Sequence, residues 1–343
     1  MVGSPPHRAS DTHIASGTSE WMFDLRNDTG LRRGCLKSNP DHRQPSPVRS
    51  PCTIREHMEA TITPPEPPTG ELANRAWEVG ALNRIRAEPT AFPLAVPMTD
   101  QEVREVVSSE ATRLHEVARS LHETYGTPDL GNQQDPVDEL VYIILSRRTR
   151  EAAYQAAFSA LKARYASWDD VAAAPHAELA QTINASGLAQ KKASSIQNAL
   201  RALQSRFGSC TLEPTLDWGE EELVELLCSL DEVGPKSALC VLLMAFGRST
   251  FPVDAHVGRA LSRLRPYETL GLDLHNYTHK VRQRLLPDVI PPDARKALHI
   301  NLLVLGRTTC VSGRPRCAQC AISASCSLGR DKATSSPMKE MAA

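Results

Sequence analysis

The chain of 343 residues is long enough for one large domain or two ordinary ones. Aromatic residues make up 5% of it, and Ala, Leu, Glu, Arg and Gln dominate its middle with no run of alternating apolar positions, which speaks against a strand-built fold and for an all-α one. Thirty-nine Lys plus Arg against forty Asp plus Glu leave a formal charge of −1, so no overall basic field advertises a nucleic acid and any such partner must be met by a local patch.

Residues 1–92 hold eleven of the 25 prolines and few periodic apolar positions, so 1–97 read as a disordered Pro-rich leader in which a short helix at 71–86 is the one element with room to form. Met58 and Met98 are alternative starts of the functional chain. The same ninety-two residues carry eleven basic and eleven acidic side chains, which is too much acid for a mitochondrial leader. Residues 1–30 lack the apolar core of a secretory signal, and no stretch reaches the roughly 18 apolar residues of a membrane span. An intracellular monomer is expected, in the bacterial cytoplasm or nucleoid and without a membrane. Its nine cysteines are then ligands or core residues rather than disulfides.

From Asp100 the apolar residues return at three and four positions, through Val103, Val107, Ala111, Leu114, Val117 and Leu121, with Thr99 as a suitable N-cap. Further helices are expected at 136–146, 150–165, 167–174, 176–184, 190–207, 220–229, 235–246, 254–264, 272–285 and 292–306.

Between the helices at 220–229 and 235–246 runs Val233-Gly234-Pro235-Lys236-Ser237-Ala238. A Gly followed by a Pro marks a tight connection, with Gly234 free to take a positive φ and Pro235 suited to the first helical position. Lys236 then falls in the first turn. The positive helix start disfavours its ammonium, so a depressed pKa and a nucleophilic amine are expected there, although a solvated surface lysine is the simpler reading of the residue taken alone. The exposed amides of such a turn also suit a phosphate. Asp254, in Val253-Asp254-Ala255-His256, precedes a helix as its N-cap. That role is sufficient by itself and compatible with a held carboxylate that stabilises developing positive charge.

Cys310, Cys317, Cys320 and Cys326 follow within seventeen residues. One Cys-x2-Cys knuckle with longer arms fits an iron–sulfur cluster better than the paired knuckles of a zinc ribbon, although four thiolates serve both. Cys35, Cys52, Cys210, Cys228 and Cys240 are scattered, and Cys228 and Cys240 read as core packing.

Together these segments resemble the endonuclease III branch of the helix-hairpin-helix DNA glycosylases, over about residues 135–326. The hairpin, the Val253-Asp254-Ala255-His256 segment and Gly306-Arg307-Thr308-Thr309-Cys310 occur in the family's order. The resemblance implies an all-α fold with a six-helix barrel domain at 135–248. A helical cluster domain would combine an N-terminal helix at 98–134 with residues 249–330, and 331–343 would form a disordered tail.

It further implies a bifunctional DNA N-glycosylase and AP lyase of base excision repair. Lys236 would be the Schiff-base nucleophile and Asp254 the essential carboxylate, while Cys310, Cys317, Cys320 and Cys326 would ligate a [4Fe-4S] cluster. Double-stranded DNA with damaged bases or abasic sites is the implied partner, and oxidised pyrimidines are the family's default lesions. Contacts to DNA are expected from Arg147, Arg148, Leu188, Gln190, Val233, Gly234, His256, Arg314 and Arg316, with Leu188 as the residue inserted into the stack.

The chain departs from the family pattern at Arg148, where Gln is common, and at Asp231-Glu232, where Pro-Gly is usual. Glu232 is ill suited to a glycine's backbone angle, and two acids beside a phosphate-binding turn weaken the expected contact. An adenine glycosylase would need a carboxylate at 141–145 and no lysine at 236, and neither holds. The alternative from another class is a non-catalytic iron–sulfur DNA-binding protein.

Overall fold

Cap chemistry decides where several of the helices begin. Thr99 accepts from the Glu102 amide at 3.3 Å and its own amide donates to Glu102 at 2.7 Å, a capping box that opens α2, Asp100–Tyr125. Asp135 accepts from the amides of Val137 and Asp138 at 2.9 and 2.8 Å and, with Pro136 in the first position, starts α3, Pro136–Ser146. The computed structural model describes residues 71–94, 97–276 and 279–335, all within one compact unit, Thr61–Ala343. The other helices are α1, Glu71–Ala87; α4, Glu151–Arg164; α5, Trp168–Ala173; α6, His176–Thr182; and α7, Ala189–Phe207. They continue with α8, Glu220–Ser229; α9, Pro235–Met244; α10, Ala255–Leu264; α11, His279–Val289; α12, Arg295–Thr308; and α13, Ser327–Ser335. No strand occurs among the described residues, and the protein is all-α.

Two apolar cores organise these helices. The first runs from Val137 to Phe246 and gathers α3 to α9 around α3, on which Val137 and residues 139–145 are all buried. Tyr142 there meets Tyr154 and Phe158 edge to face at 5.0 and 5.3 Å. The second combines α1 and α2 with α10, α11 and α12, from Ala81–Leu121 on one side to Phe251–Ile322 on the other.

Residues 71–94 are not part of an unstructured leader. Ala81, Leu82, Ile85, Ala91 and Phe92 are buried in the second core, each large side chain contributing about 1.5–3 kcal/mol. Trp77 and Arg84 tie α1 to Asp288 at 3.0 and 2.5 Å. Residues 1–70, the greater part of the expected leader, lie outside the described residues. The expected tail is likewise helical as far as Ser335.

The helix expected at 272–285 is displaced toward the C-terminus. Gly271 has φ 81° and backs onto the Pro93 carbonyl, which a Cβ would approach to 2.6 Å. Asp273 then accepts from the His275 amide at 2.9 Å, closing a turn before α11 begins.

The strap between the cores is held by α12 and the turn before it. Arg295 donates to Ser249 O at 2.5 Å, Ser249 to Pro292 O at 2.6 Å, and His299 to Pro252 O at 2.8 Å. Asp254 follows two residues after Pro252 and caps α10. Among the described residues no helix is long and apolar enough to cross a membrane.

Candidate active site and cysteine cavity

The turn between α8 and α9 closes through the Val233 amide, which donates to Leu230 O at 3.2 Å. The positive φ falls on Glu232, at 60°, and Gly234 is extended at −99°, the reverse of what the sequence suggested. A glutamate therefore does adopt the left-handed angle, at an expected cost of about 1–2 kcal/mol. Val233, expected at the DNA, has its side chain buried in the first core. Gly234 caps α9, Pro235 takes the first position and Lys236 the second.

Lys236 sits half-buried one turn before the buried Cys240. The Cys240 sulfur is the largest influence on the ammonium and, with Asp254 and Glu139, holds it above the ordinary lysine value against burial. The direction is opposite to the depressed amine expected, because Cys240, Asp254 and Glu139 outweigh the desolvation of burial. Asp254 caps α10 by accepting from the Val257 amide at 2.7 Å. His299 lies in the same electrostatic neighbourhood. Burial and the Lys236 charge hold it down to about 4, so it is neutral and its single proton is the one on Nδ1 given to Pro252 O.

Glu139 escaped the sequence reading. It lies fully buried in the first turn of α3, its carboxyl accepting from Asn132 Nδ2 at 2.6 Å and the Gln133 amide at 2.7 Å. Burial pushes the carboxyl up to about 7, with Lys236 among the groups drawing it down. The signal was an acid inside the apolar run from Val137 to Leu145, masked by the ordinary preference of acids for helix starts.

Contacts join the end of α3 to the turn before Leu188, to the start of α7 and to the hairpin. Arg147 caps α3, and Arg148 and Leu188 both stand at left-handed angles, φ 52° and 50°. Leu188 is 58% exposed, and Gln190, Arg148 and Gly234 are exposed as well. Another unanticipated residue, the buried Lys192, holds two of these segments together. It donates to Leu145 O, Thr149 Oγ1 and Ser186 O at 2.6, 2.5 and 2.7 Å, tying the end of α3 to the turn before Leu188. Burial, helped by Arg147, lowers its pKa to about 8.

Glu232, also unanticipated as a partner, accepts from Arg147 at 2.5 Å and pairs with Lys191 at 3.1 Å. His256 is half-buried on α10, where its Nδ1 faces Arg259 Nη2 at 3.1 Å. Its Cβ lies against Gly306, whose added Cβ would approach it to 2.8 Å. Arg314 and Arg316 are exposed on the loop after α12.

Cys310, Cys317, Cys320 and Cys326 are free thiols that line one cavity, with Arg263, Arg316 and Gly329 on its wall. Among the described residues no three His, Cys, Asp or Glu side chains converge as an ion's ligands. The donor set and its surroundings nevertheless fit an iron–sulfur group. Amides of Leu328 and Gly329 point at Cys326, and that of Ile322 at Cys320. Arg263 Nη1 donates to Cys310 Sγ at 3.2 Å, and such bonds stabilise thiolates. Burial first, then the neighbouring thiols, hold Cys320 and Cys326 above the ordinary cysteine value.

The loop is braced from two helices. Arg263 also donates to the carbonyls of Cys310, Val311 and Ser312 at 3.1, 2.7 and 2.9 Å, and Arg113 of α2 reaches Ser325 O at 2.6 Å. Gly329 is required there, since a Cβ would meet Ser323 O at 2.2 Å. Cys35 and Cys52 lie outside the described residues, and Cys210 and Cys240 are buried in the first core.

Residues 141–287 match the family of HhH-GPD superfamily base excision DNA repair proteins. A protein of Arabidopsis thaliana described as a DNA glycosylase is 36% identical over 151 residues, 44% of this chain, and the chain spans 49% of that relative's length. Endonuclease III of Bacillus subtilis (strain 168) is 30% identical over 200 residues, covering 58% of this chain and 84% of that protein. Among solved structures, a trapped covalent intermediate of endonuclease III with DNA superposes with a TM-score of 0.51 at 24% identity, over 69% of this chain and all of that one. The fold and site define a helix-hairpin-helix base excision repair protein. Within that class the chain belongs to the endonuclease III-like DNA glycosylase family.

Proposed function

We propose that this protein is a bifunctional DNA N-glycosylase and AP lyase that acts on damaged pyrimidines in double-stranded DNA, oxidised ones in particular. The observation that carries the reading is Lys236 at the start of α9, immediately after the hairpin and under the electrostatic influence of the capping carboxylate Asp254. An endonuclease III has been trapped as a covalent intermediate on DNA, and a covalent enzyme–DNA adduct is what this reading requires.

In this reading the hairpin with Arg147, Arg148, Gln190, Gly234, His256, Arg314 and Arg316 holds the backbone, and Leu188 fills the space left by an extruded nucleotide. The Lys236 amine attacks C1′ of that nucleotide and the base leaves with the glycosidic electron pair; Nζ then gives up a proton and the C1′–O4′ bond breaks, O4′ taking up a proton as the sugar ring opens, which leaves an iminium between Nζ and C1′. Loss of a C2′ proton then expels the 3′ phosphate. Because Lys236 rests as an ammonium, a proton must leave Nζ before attack, and Asp254 is the adjacent carboxylate able to take it. The same carboxylate stabilises positive charge on the sugar.

Cys310, Cys317, Cys320 and Cys326 would hold a [4Fe-4S] cluster. When bound it supplies four iron–thiolate bonds that tie the loop carrying Arg314 and Arg316 into one unit. Borohydride reduction on a duplex with an abasic site tests the assignment. A covalent adduct is expected from the wild type and none from Lys236→Gln, and a wild type that binds the duplex without an adduct would instead be a non-catalytic DNA-binding protein.

A further inference from the structure

We propose that Glu232 sets the DNA affinity of this site. Its carboxylate occupies Arg147 and Lys191 as an internal stand-in for a phosphate, and in the complex it competes with the DNA phosphates for both cations. The inference rests on the nucleic-acid reading above and adds to it the residue that competes with the ligand.

The geometry is specific to one of the two hairpin acids. Glu232 Oε2 accepts from Arg147 Nη2 at 2.5 Å and its Oε1 meets Lys191 Nζ at 3.1 Å, while Arg147 Nη1 donates to the Glu232 carbonyl at 3.0 Å. The clasp joins three segments that do not otherwise share a helix: the end of α3, the start of α7 and the hairpin turn. Asp231 next to it makes a different contact, with the neutral Asn198 amide at 2.9 Å.

Only Glu232 therefore consumes cations, and it consumes two. Both ion pairs are partly exposed, so each is weak enough for a phosphate to replace. The carboxylate is brought to these cations by the left-handed backbone at Glu232. A planar anion accepting from a guanidinium on one oxygen and an ammonium on the other occupies the donors a phosphate would use.

Glu232→Gln keeps the length, the backbone angle and the Arg147 bond to the carbonyl, and removes the charge together with one of the two acceptors that face Arg147 and Lys191. Its binding to a duplex carrying a reduced abasic-site analogue, compared with wild type and Asp231→Asn across about 50–200 mM salt, tests the proposal. Each freed cation that meets a phosphate steepens the log–log salt slope by about 0.9. Glu232→Gln is expected to bind at least about threefold tighter at low salt with a slope steeper by about 0.9–1.8, and Asp231→Asn to keep the wild-type slope. In Glu232→Gln with Lys191→Gln, about half of the gained slope should be lost.

Equal effects of the two single variants, or an unchanged slope in Glu232→Gln, would overturn the proposal and leave the DNA-binding reading intact. Failure of every variant and the wild type to bind the duplex would overturn both, through the reading on which the proposal rests.

Discussion

Replacing Glu139 by Gln isolates the one fully buried carboxyl of the first core. Burial raises it from an ordinary 4.5 to about 7, against the bonds from Gln133 and Asn132 and the attraction of Lys236. The folded state holds this proton more tightly than the unfolded chain does. The group's stabilising contribution is therefore complete below about pH 4.5 and is lost as the pH rises through about 7, a total of about 3 kcal/mol. Some 2–3 kcal/mol of that loss falls between about pH 5 and pH 8. The groups facing it, Lys236 and Cys240 on α9 and Tyr142 on α3, are all held above their ordinary values, and His299 is held down to about 4, so none changes charge in that window.

A Gln at 139 would turn an amide nitrogen toward one of two donors, costing about 1–3 kcal/mol at every pH. Urea unfolding should show Glu139→Gln less stable than wild type near pH 5, with the gap closing by about 2–3 kcal/mol by pH 8. A gap that stays constant over that range would refute the raised carboxyl.

Leu188→Gly relieves a left-handed angle at an exposed position and is expected to raise stability by up to about 1 kcal/mol in thermal unfolding. The same change should slow release of a damaged base about tenfold while cleavage of a ready-made abasic site changes less, as the loss of a wedge requires. Gly306→Ala places a Cβ 2.8 Å from His256 Cβ and forces α12 from α10; a loss of about 1–3 kcal/mol in urea unfolding is expected. Arg263→Ala leaves the carbonyls of Val311 and Ser312 without their side-chain donor and that of Cys310 with Arg259 alone; with the proposed cluster bound, faster loss of visible absorbance and iron to a chelator is expected than for wild type.

The placement of Lys236 and Asp254 was legible because both roles are local. A Gly-Pro pair followed by an apolar run specifies a turn and a helix start, and an Asp before such a run specifies a cap. The four cysteines were legible for the same reason, being close in sequence. The helix at 272–285 was misplaced because the turn that delays it depends on Gly271 meeting Pro93, a contact across 178 positions that no local pattern announces. Residues 71–94 looked like leader because their apolar positions are few, and they order only against α2 and α11.

Local sequence, then, determined the all-α class, most helix starts, the hairpin lysine, the capping aspartate and the cysteine loop. Tertiary structure alone decided the charge environment. Lys236 is held up by Cys240, Asp254 and Glu139, two of which arrive from other segments of the chain, and together they outweigh the desolvation that burial imposes. It also decided that Glu232 grips Arg147 and Lys191, because Coulomb interactions and desolvation follow distance in space and not separation along the chain.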